Sequence, residues 1–282
     1  MAELQVLRDG GVMGESPRWH EGRLWFCDWG LGELRTVEVD GSTTVVEGLT
    51  SVPWSIDWLP DGRMLVVPRG EQRLLRQEPD GTLVGHGDLA AISPYAWNEL
   101  VVDGRGNAYV NGIGYDMLGG APPAPGQVAL VTPDGTVTPV ADDVHFPNGM
   151  AVTADNGTLI VAESHAQRLT AFTIGSDGSL SDRRVWADLG DGAPDGICTD
   201  AEGAVWYADV PNRHCRRVAD GGEVRQTVTV DRGCFSCALG GPAGTTLFIV
   251  AAEWRGPATF DPSVRTGQVL AIDVEVSAAG WP

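Results

Sequence analysis

The sequence predicts an all-β fold, a six-bladed β-propeller with four antiparallel strands in each blade, in one domain over residues 1–282. Three observations support this prediction. A polar turn that ends in glycine and continues into a short apolar strand recurs six times along the chain. Asp-Gly pairs, which are strong hairpin signals, lie between these units. Helical periodicity of apolar residues is almost absent, so we expect no long helix.

The repeated unit sets the number of blades. Its turn glycines are 40 to 51 residues apart, which is the length of a four-stranded propeller blade. The six glycines are Gly22, Gly62, Gly106, Gly157, Gly203 and Gly244. Six such units fill the chain from end to end and leave no room for a second domain. A β-sandwich or a β-helix would not explain this period.

Further turns and the two chain ends complete the blades. A hairpin built on Asp80-Gly81 is one example, because glycine adopts the positive φ that such a tight turn requires. The ring must close, since an open first or last blade would expose its strand edges. We therefore expect the short apolar segment 4–7 to complete the last blade beside residues 269–274.

Composition constrains the partners and the compartment. The chain has 38 acidic and 19 basic residues and a net charge of −19, so it repels nucleic acid and anionic membranes. We expect a small-molecule substrate, no nucleic-acid or membrane partner, and a monomer or weak homo-oligomer. No apolar stretch approaches the ~20 residues that cross a bilayer. The sequence shows no secretory signal, and its five cysteines, an odd number, suit reduced thiols, so we expect a cytoplasmic protein.

Equivalent positions on the innermost strands should meet near the propeller axis. Counting back 7 to 9 residues from each turn glycine gives Glu15, Ser55, Asn98, Asn148, Asp195 and the pair Phe235-Ser236. Four of these positions carry carboxylate or amide oxygens. Like charges in a desolvated tunnel repel each other, and an all-oxygen set suits a hard divalent cation. We therefore expect Glu15, Asn98, Asn148 and Asp195 to bind a divalent metal, Ca²⁺ first, with Zn²⁺ or Mg²⁺ as alternatives.

Three motifs resemble those of a known family. They are G-E-S-P at residues 14–17, P-N-G at 147–149 and P-D-G at 194–196. With them, the chain resembles the SMP-30/gluconolactonase/luciferin-regenerating enzyme family over essentially its whole length. The resemblance implies a six-bladed propeller whose catalytic metal is held by Glu15, Asn148 and Asp195, with Asn98 contacting the metal or the substrate. It also implies lactone hydrolysis in most members, with Asp195 as both ligand and general base.

One departure from the family pattern bears on the substrate. The family often has Arg-x-Asn-Asp-Gly where this chain has Ala-Trp-Asn-Glu-Leu at residues 96–100. In sugar-lactone hydrolases that arginine meets polar groups of the substrate, so its absence here favours an apolar or aromatic substrate. The candidate substrate-binding residues are Trp29, Trp54, Trp97, Asn98, Tyr115, Phe146, His165 and Phe235. The segments 112–126 and 252–267 exceed ordinary hairpin length and suggest lids.

Together these features predict a metal-dependent hydrolase, a lactonase that acts on a lactone or related ester. The sequence contains no G-x-S-x-G elbow, which argues against a serine esterase. Two alternatives stay open. The same metal-bearing propeller could catalyse a non-hydrolytic isomerisation, cyclisation or condensation in secondary metabolism. It could also be a non-catalytic interaction platform, because a fold does not dictate a function.

Overall fold

Six four-stranded antiparallel sheets are arranged as the blades of a propeller, which confirms the predicted fold class. The computed structural model describes residues 3–38, 40–46, 48–117, 119–256 and 260–282. The strands of the first half are β1 (Gln5–Gly11), β2 (Gly14–His20), β3 (Arg23–Asp28), β4 (Glu33–Val37), β5 (Thr43–Val45), β6 (Pro53–Trp58), β7 (Met64–Pro68), β8 (Arg73–Gln77), β9 (Leu83–Asp88), β10 (Trp97–Val102), β11 (Ala108–Gly112), β12 (Gly126–Val131) and β13 (Val137–Val144). Those of the second half are β14 (Pro147–Val152), β15 (Thr158–Glu163), β16 (Arg168–Ile174), β17 (Leu180–Asp188), β18 (Pro194–Thr199), β19 (Val205–Asp209), β20 (His214–Val218), β21 (Val224–Thr229), β22 (Gly233–Gly240), β23 (Thr246–Ala252) and β24 (Gly267–Asp273). Blades 1 to 5 are β2–β5, β6–β9, β10–β13, β14–β17 and β18–β21, and blade 6 combines β22–β24 with β1.

The blades are held together by apolar side chains between neighbouring sheets. A hydrophobic cluster lies at each of the six blade interfaces. Between blades 2 and 3, for example, Leu65 packs with Trp97 and Val110. The inner strands are buried along most of their length, whereas outer strand β5 is exposed throughout. Burial of these apolar faces is the main driving force that closes the ring.

The N-terminal strand closes the ring, as the sequence predicts. Strand β1 pairs antiparallel with β24, and Gln5 lies opposite Ala271 while Gly11 lies opposite Gly267. The observed strand therefore extends from residue 5 to residue 11, further than the predicted segment 4–7. This pairing satisfies the edge of blade 6 that would otherwise remain open.

The C-terminal tail crosses the propeller at the ends where the inner strands finish. Trp281 and Val152 exchange two backbone hydrogen bonds of 2.7 and 2.9 Å. The amide of Ala279 donates to the carbonyl of Thr199 (3.2 Å), and the amide of Ala278 donates to the carbonyl of Gly244 (2.8 Å). The tail thereby connects blades 4, 5 and 6, a feature that the repeat pattern does not predict.

Helical structure is almost absent from the described residues. Their one helical segment is the 3₁₀ turn Ser164–Ala166. No helix in this part of the chain is long and apolar enough to span a membrane. The chain instead reverses at tight turns, and five of the six repeated turn glycines have positive φ. In the fourth unit Asn156 (φ 57°) adopts the left-handed conformation in place of Gly157, because asparagine tolerates it better than most residues.

Each inner strand has an irregularity in its register close to the end at which it begins. The shifts lie between Glu15 and Arg18, Pro53 and Ser55, Trp97 and Leu100, Pro147 and Met150, Pro194 and Ile197, and Cys234 and Ser236. Such bulges bend a strand and change the direction of a side chain. All six therefore alter side-chain direction at the same end of the propeller.

Candidate metal centre

A cavity of about 750 Å³ lies where the inner strands begin. Each of the six inner strands contributes a residue to its wall: Glu15, Trp54, Asn98, Asn148, Asp195 and Phe235. The four oxygen-bearing side chains that the sequence singles out thus surround one space. Their convergence is a consequence of the propeller, because residues far apart in the chain occupy equivalent positions around its axis.

Two carboxylates face this cavity, the buried Glu15 and the partly buried Asp195. Glu15 is 6% exposed, and burial raises its pKa well above the usual range, with the nearby charges of Asp195 and Glu99 adding to the effect. Burial also raises the pKa of Asp195, and the charges of Glu99 and Asp209 raise it further. The Oδ1 atom of Asp195 is buried and makes no hydrogen bond within the described residues. Among the described residues neither acid forms an ion pair, so their mutual repulsion favours a cation between them.

The side-chain amides of Asn98 and Asn148 complete the polar floor of the cavity, and their nitrogen atoms donate hydrogen bonds within the protein. Asn98 Nδ2 donates to the carbonyl of Pro147 in the next blade (3.3 Å). Asn148 Nδ2 lies 3.4 Å from Ser164 Oγ, and the Asn148 side chain also hydrogen-bonds to Asp195. These bonds occupy the donor ends of both amides, so their carbonyl oxygens remain available as ligands.

The glycines of two motifs allow the inner strands to approach closely beside the site. A Cβ atom on Gly149 would lie 2.6 Å from the carbonyl oxygen of Asp195. A Cβ atom on Gly196 would overlap the side chain of Ser236 in blade 6. The P-N-G and P-D-G motifs thus combine a polar side chain with a residue that lets the next strand pack against it.

Beneath the floor lies a buried network centred on Glu99. Arg18 Nη2 donates to Glu99 Oε1 (3.2 Å) and to the carbonyl of Leu100 (2.7 Å). Ser16 Oγ donates to the same carboxylate (3.0 Å), and Ser55 Oγ makes a short hydrogen bond to it. Glu99 thus has a cationic partner in Arg18, and its own charge raises the pKa of both carboxylates that face the cavity.

Aromatic side chains form the upper walls of the cavity. Trp29 stacks on Trp54 with ring centroids 4.6 Å apart, and its Nε1 donates to the carbonyl of Trp54 (2.8 Å). Phe146 stacks on His165 at 4.5 Å. Burial lowers the pKa of His165, with the charge of His145 contributing, which favours the neutral imidazole. These four rings all line the cavity, as does Phe235, so aromatic rings form much of its wall; the charged side chains that also line it are Arg213, Asp231, Arg232, Glu253 and Arg255.

Two candidate substrate-binding residues lie elsewhere. Trp97 is 1% exposed and packs in the cluster between blades 2 and 3, so it does not line the cavity. Successive side chains of a strand point to opposite faces, so the residue before Asn98 is directed into the blade interface. Tyr115 lines a smaller neighbouring cavity of about 370 Å³ together with Trp54, and its ring lies 6.4 Å from that of Phe146.

Counting back from the turn glycines also misplaces one position. In blade 2 the residue at the cavity is Trp54, whereas Ser55 is fully buried and lies 2.8 Å from Ser16 Oγ. A register shift between Pro53 and Ser55 accounts for this slip of one residue. The count cannot resolve such a slip, because it spans 7 to 9 residues among the blades.

The two long segments proposed as lids both reach the cavity. Ile113 and Met117 line it from the first, and Trp254 and Arg255 line it from the second. Trp254 packs edge-on against Phe235, with ring centroids 5.6 Å apart. Leu118 and residues 257–259 lie outside the described residues. The described residues of both segments therefore form part of the cavity wall.

Several lining residues are not evident from the sequence. Met13, Ser164, Arg213 and Arg232 all face the cavity. Met13 immediately precedes β2, which carries the G-E-S-P motif, and Ser164 immediately follows β15 in the loop that carries His165, so their positions in the repeat could have indicated them. Arg213 lies in the loop between β19 and β20, and Arg232 immediately precedes the inner strand β22, as Met13 precedes β2.

The residues on the floor fit a hard divalent cation. No group of three or more His, Cys, Asp or Glu side chains within the described ranges is arranged to hold a metal. A cation here would therefore depend on the amides of Asn98 and Asn148 as well as on the two carboxylates. Carboxylate and amide oxygens are the usual ligands of Ca²⁺, and water completes its coordination. The unpartnered Asp195 Oδ1 is the observation that most favours such an ion.

The fold and the cavity define a class: a six-bladed propeller with a polar, acidic floor and apolar walls at one end of its axis. A model of the SMP-30/Gluconolactonase/LRE-like region matches residues 13–253. The chain belongs to this family, as its G-E-S-P, P-N-G and P-D-G motifs indicate.

Relatives cover the whole chain. The pentonolactonase XacC of Haloferax volcanii is 26% identical over 100% of this chain and 97% of its own length. A luciferin-regenerating enzyme has a TM-score of 0.85 at 20% identity, covering 99% of this chain and 98% of its own. A calcium-binding protein, regucalcin, from Agrobacterium tumefaciens has a TM-score of 0.83 at 22% identity, covering 100% and 97%. At these identities the two structures show a shared fold.

Proposed function

We propose that this protein is a divalent-metal-dependent lactonase that acts on a relatively apolar or aromatic lactone. The observation that carries the proposal is the convergence of Glu15, Asn98, Asn148 and Asp195 on one cavity of a chain in this family. The full-length relative named as a pentonolactonase supports the reaction class. The substrate is a small molecule, because the floor lies inside a cavity of about 750 Å³.

Calcium is the metal that the site favours. All four candidate ligands offer oxygen, and no cysteine or histidine stands among them, which favours a hard cation over a softer one. The structural relative described as a calcium-binding protein supports the same ion. Mg²⁺ and Zn²⁺ are the alternatives, since carboxylate oxygens bind both.

The residues of the floor divide the chemistry between them. When bound, the cation would polarise the lactone carbonyl and stabilise the negative charge that develops on its oxygen. The Asp195 carboxylate, which faces the cavity, accepts a proton as the water oxygen adds to the carbonyl carbon. The ring C–O bond then breaks, and Asp195 returns the proton to the departing oxygen. The product is the corresponding hydroxy acid.

The walls determine the class of lactone. Trp29, Trp54, Phe146 and Phe235 would bury apolar parts of the substrate. Residue 96 is alanine, so the chain lacks the arginine that many relatives use for polar substrate groups. We therefore propose an aromatic or alkyl lactone in preference to a sugar lactone.

A test of this function compares two lactones on protein stripped with EDTA and then supplied with Ca²⁺. Dihydrocoumarin, an aromatic lactone, should be hydrolysed only after Ca²⁺ is added, and with a higher kcat/KM than gluconolactone. Preferential hydrolysis of gluconolactone would contradict the proposed substrate class. Hydrolysis of both lactones without Ca²⁺ would contradict the proposed metal dependence.

The same walls also favour a second reaction class. An apolar cavity excludes water from a reactive intermediate, which suits a non-hydrolytic isomerisation, cyclisation or condensation at the same metal. A panel of aromatic amines and aldehydes, run beside the lactones, separates the two. Product formation from that panel, with no lactone opened, would favour the non-hydrolytic function.

We further propose a reducing, cytoplasmic location and a monomer or weak homo-oligomer. All five cysteines are buried and free, which is typical of proteins in a reducing compartment. Sedimentation of the purified protein tests the oligomeric state.

A further inference from the structure

Three blades share a feature beside the cavity that the other three lack. In each, the residue just before the candidate ligand pairs across the sheet with a buried acid. The pairs are Gly14 with Asp28, Pro147 with Glu163, and Pro194 with Asp209, and the ligands that follow are Glu15, Asn148 and Asp195. In blades 2, 3 and 6 the residues just before Trp54, Asn98 and Phe235 pair with uncharged residues: Pro53 with Pro68, Trp97 with Gly112, and Cys234 with Ala251.

These acids do not line the cavity, and they are almost completely buried. Asp28 is 1% exposed, and Glu163 and Asp209 are 0% exposed. A buried carboxylate is costly unless hydrogen bonds compensate it. Three such groups at equivalent positions are therefore unlike the scattered surface acids that keep the protein soluble.

Each acid accepts a hydrogen bond from the backbone shortly before its ligand. Asp28 accepts from the amide of Val12 (3.2 Å), and Asp209 accepts from the amide of Ala193 (3.0 Å). Glu163 accepts from the amide of His145 (2.7 Å). The anchored amide lies two or three residues before the ligand in every case. The acid thus fixes the backbone at the point where the chain enters the bulged part of the inner strand.

Other bonds hold the acids themselves in place. Asp209 also accepts two hydrogen bonds from Asn212, one from its backbone amide and one from its side-chain amide, each 3.0 Å long. Glu163 is paired with Arg168 at 2.9 Å. Asp28 also accepts from the amide of Leu31 (3.2 Å). Asp28 and Asp209 therefore link the start of the inner strand to the loop after the second strand of the same blade, and Glu163 links it to the first residue of the third strand, β16.

We propose that Asp28, Glu163 and Asp209 are positioning residues for the metal ligands Glu15, Asn148 and Asp195. They act through the backbone, because a ligand set binds a cation tightly only when its supporting groups hold it in the required geometry. This inference rests on the metal centre of the proposed function. In blade 3 the residue before Asn98 pairs with Gly112 rather than with an acid, and the Asn98 side chain donates to the carbonyl of Pro147.

The test uses the variants Asp28→Asn, Glu163→Gln and Asp209→Asn with matched controls from the other end of the inner strands. Asp103 and Asp200 are 1% and 2% exposed and also accept backbone hydrogen bonds, from Arg105 (2.9 Å) and Glu202 (2.9 Å). Asp200 is paired with Arg217, as Glu163 is with Arg168. Asp103→Asn and Asp200→Asn therefore remove equally buried charges far from the cavity.

Calorimetric titration of EDTA-stripped protein with Ca²⁺ gives the Kd, and the Tm without Ca²⁺ gives stability. We expect the three site-end variants to weaken the Kd by about 10 to 100-fold. The two controls should lower the Tm to a similar extent but change the Kd by no more than about twofold. The acids lie in different blades, so a variant that fails to fold leaves the other two as tests.

Hydrogen exchange in the metal-free protein separates positioning from simple loss of charge. Amides in segments 12–16, 145–149 and 193–197 should exchange faster in the corresponding site-end variant and not in the controls. A weakened Kd without faster exchange would overturn the positioning role, as would equal Kd values for site-end and control variants. If the wild-type protein binds none of Ca²⁺, Mg²⁺ and Zn²⁺, the proposed metal centre fails and this inference fails with it. If the wild type binds and the variants match the controls, only this inference fails.

Discussion

Two groups of blades meet at the cavity with the same backbone plan and opposite side-chain chemistry. Blades 1, 4 and 5 present Glu15, Asn148 and Asp195, each beside a buried acid. Blades 2 and 6 present the rings of Trp54 and Phe235. All six inner strands are bulged at this end, so the difference lies in the side chains. A propeller can thus divide one site into a polar half and an apolar half by changing one position in each blade.

The largest effect should come from the polar half, at Asp195. Asp195→Asn keeps the volume of the side chain but removes the proposed base and one anionic ligand. We expect kcat for lactone hydrolysis to fall by about 10³-fold or more, with the fold intact by circular dichroism. Asp191→Asn, an exposed acid four residues earlier, is the control and should retain wild-type activity. Retained hydrolysis in Asp195→Asn would remove this residue from its role.

Removal of the metal should affect the polar half as a whole. Ligand binding at 100 times the Kd adds about 2.7 kcal/mol to the free energy of unfolding. For a chain of this length, that corresponds to a rise in Tm of about 5 to 10 °C. EDTA should therefore lower the Tm of the calcium-loaded protein by this amount and abolish hydrolysis, and Ca²⁺ should restore both. No change in either quantity would favour the non-catalytic interaction platform.

A change in the apolar half should alter substrate binding and leave the metal unaffected. Trp54→Ala removes a ring that lines the cavity and stacks on Trp29. We expect KM for dihydrocoumarin to rise about tenfold, because more than 1 kcal/mol of apolar contact is lost, while the Kd for Ca²⁺ stays constant. Trp97→Phe is the control, since Trp97 packs between blades and should affect the Tm more than KM. A weaker Kd for Ca²⁺ in Trp54→Ala would show that the two halves are not separate.

The smallest effect concerns the polar group that the chain lacks. Ala96→Arg restores the arginine that the family often has two residues before the equivalent of Asn98. A charged hydrogen bond to a substrate hydroxyl contributes about 1.5 to 3 kcal/mol in favourable geometry. We expect a several-fold rise in kcat/KM for gluconolactone relative to dihydrocoumarin. Ala96→Leu is the control, and a similar shift in that variant would attribute the effect to side-chain size.

The sequence predicts the ring and the floor of the site because both depend on a repeat. Turn glycines fix the blades, and equivalent positions before them identify Glu15, Asn98, Asn148 and Asp195. The walls are harder to predict. A bulge moves the cavity position of blade 2 from Ser55 to Trp54, and strand alternation directs Trp97 into the blade interface. These details depend on local backbone geometry, which the repeat alone does not specify.

The role of the buried acids could not be predicted from the sequence alone, because it depends on the register between paired strands. Asp28, Glu163 and Asp209 end the second strands of their blades, and nothing in their local sequence distinguishes them from surface acids. Their significance emerges when cross-strand partners are known. The C-terminal tail is a further case, because its pairing with Val152 joins residues more than a hundred positions apart.

A crystal structure grown with Mn²⁺ would reveal the metal centre itself, since Mn²⁺ substitutes for hard divalent cations and gives an anomalous signal. We predict one strong anomalous peak on the propeller axis, about 2.1 to 2.6 Å from oxygens of Glu15, Asn148 and Asp195. A peak at another position, or none at the axis, would contradict it.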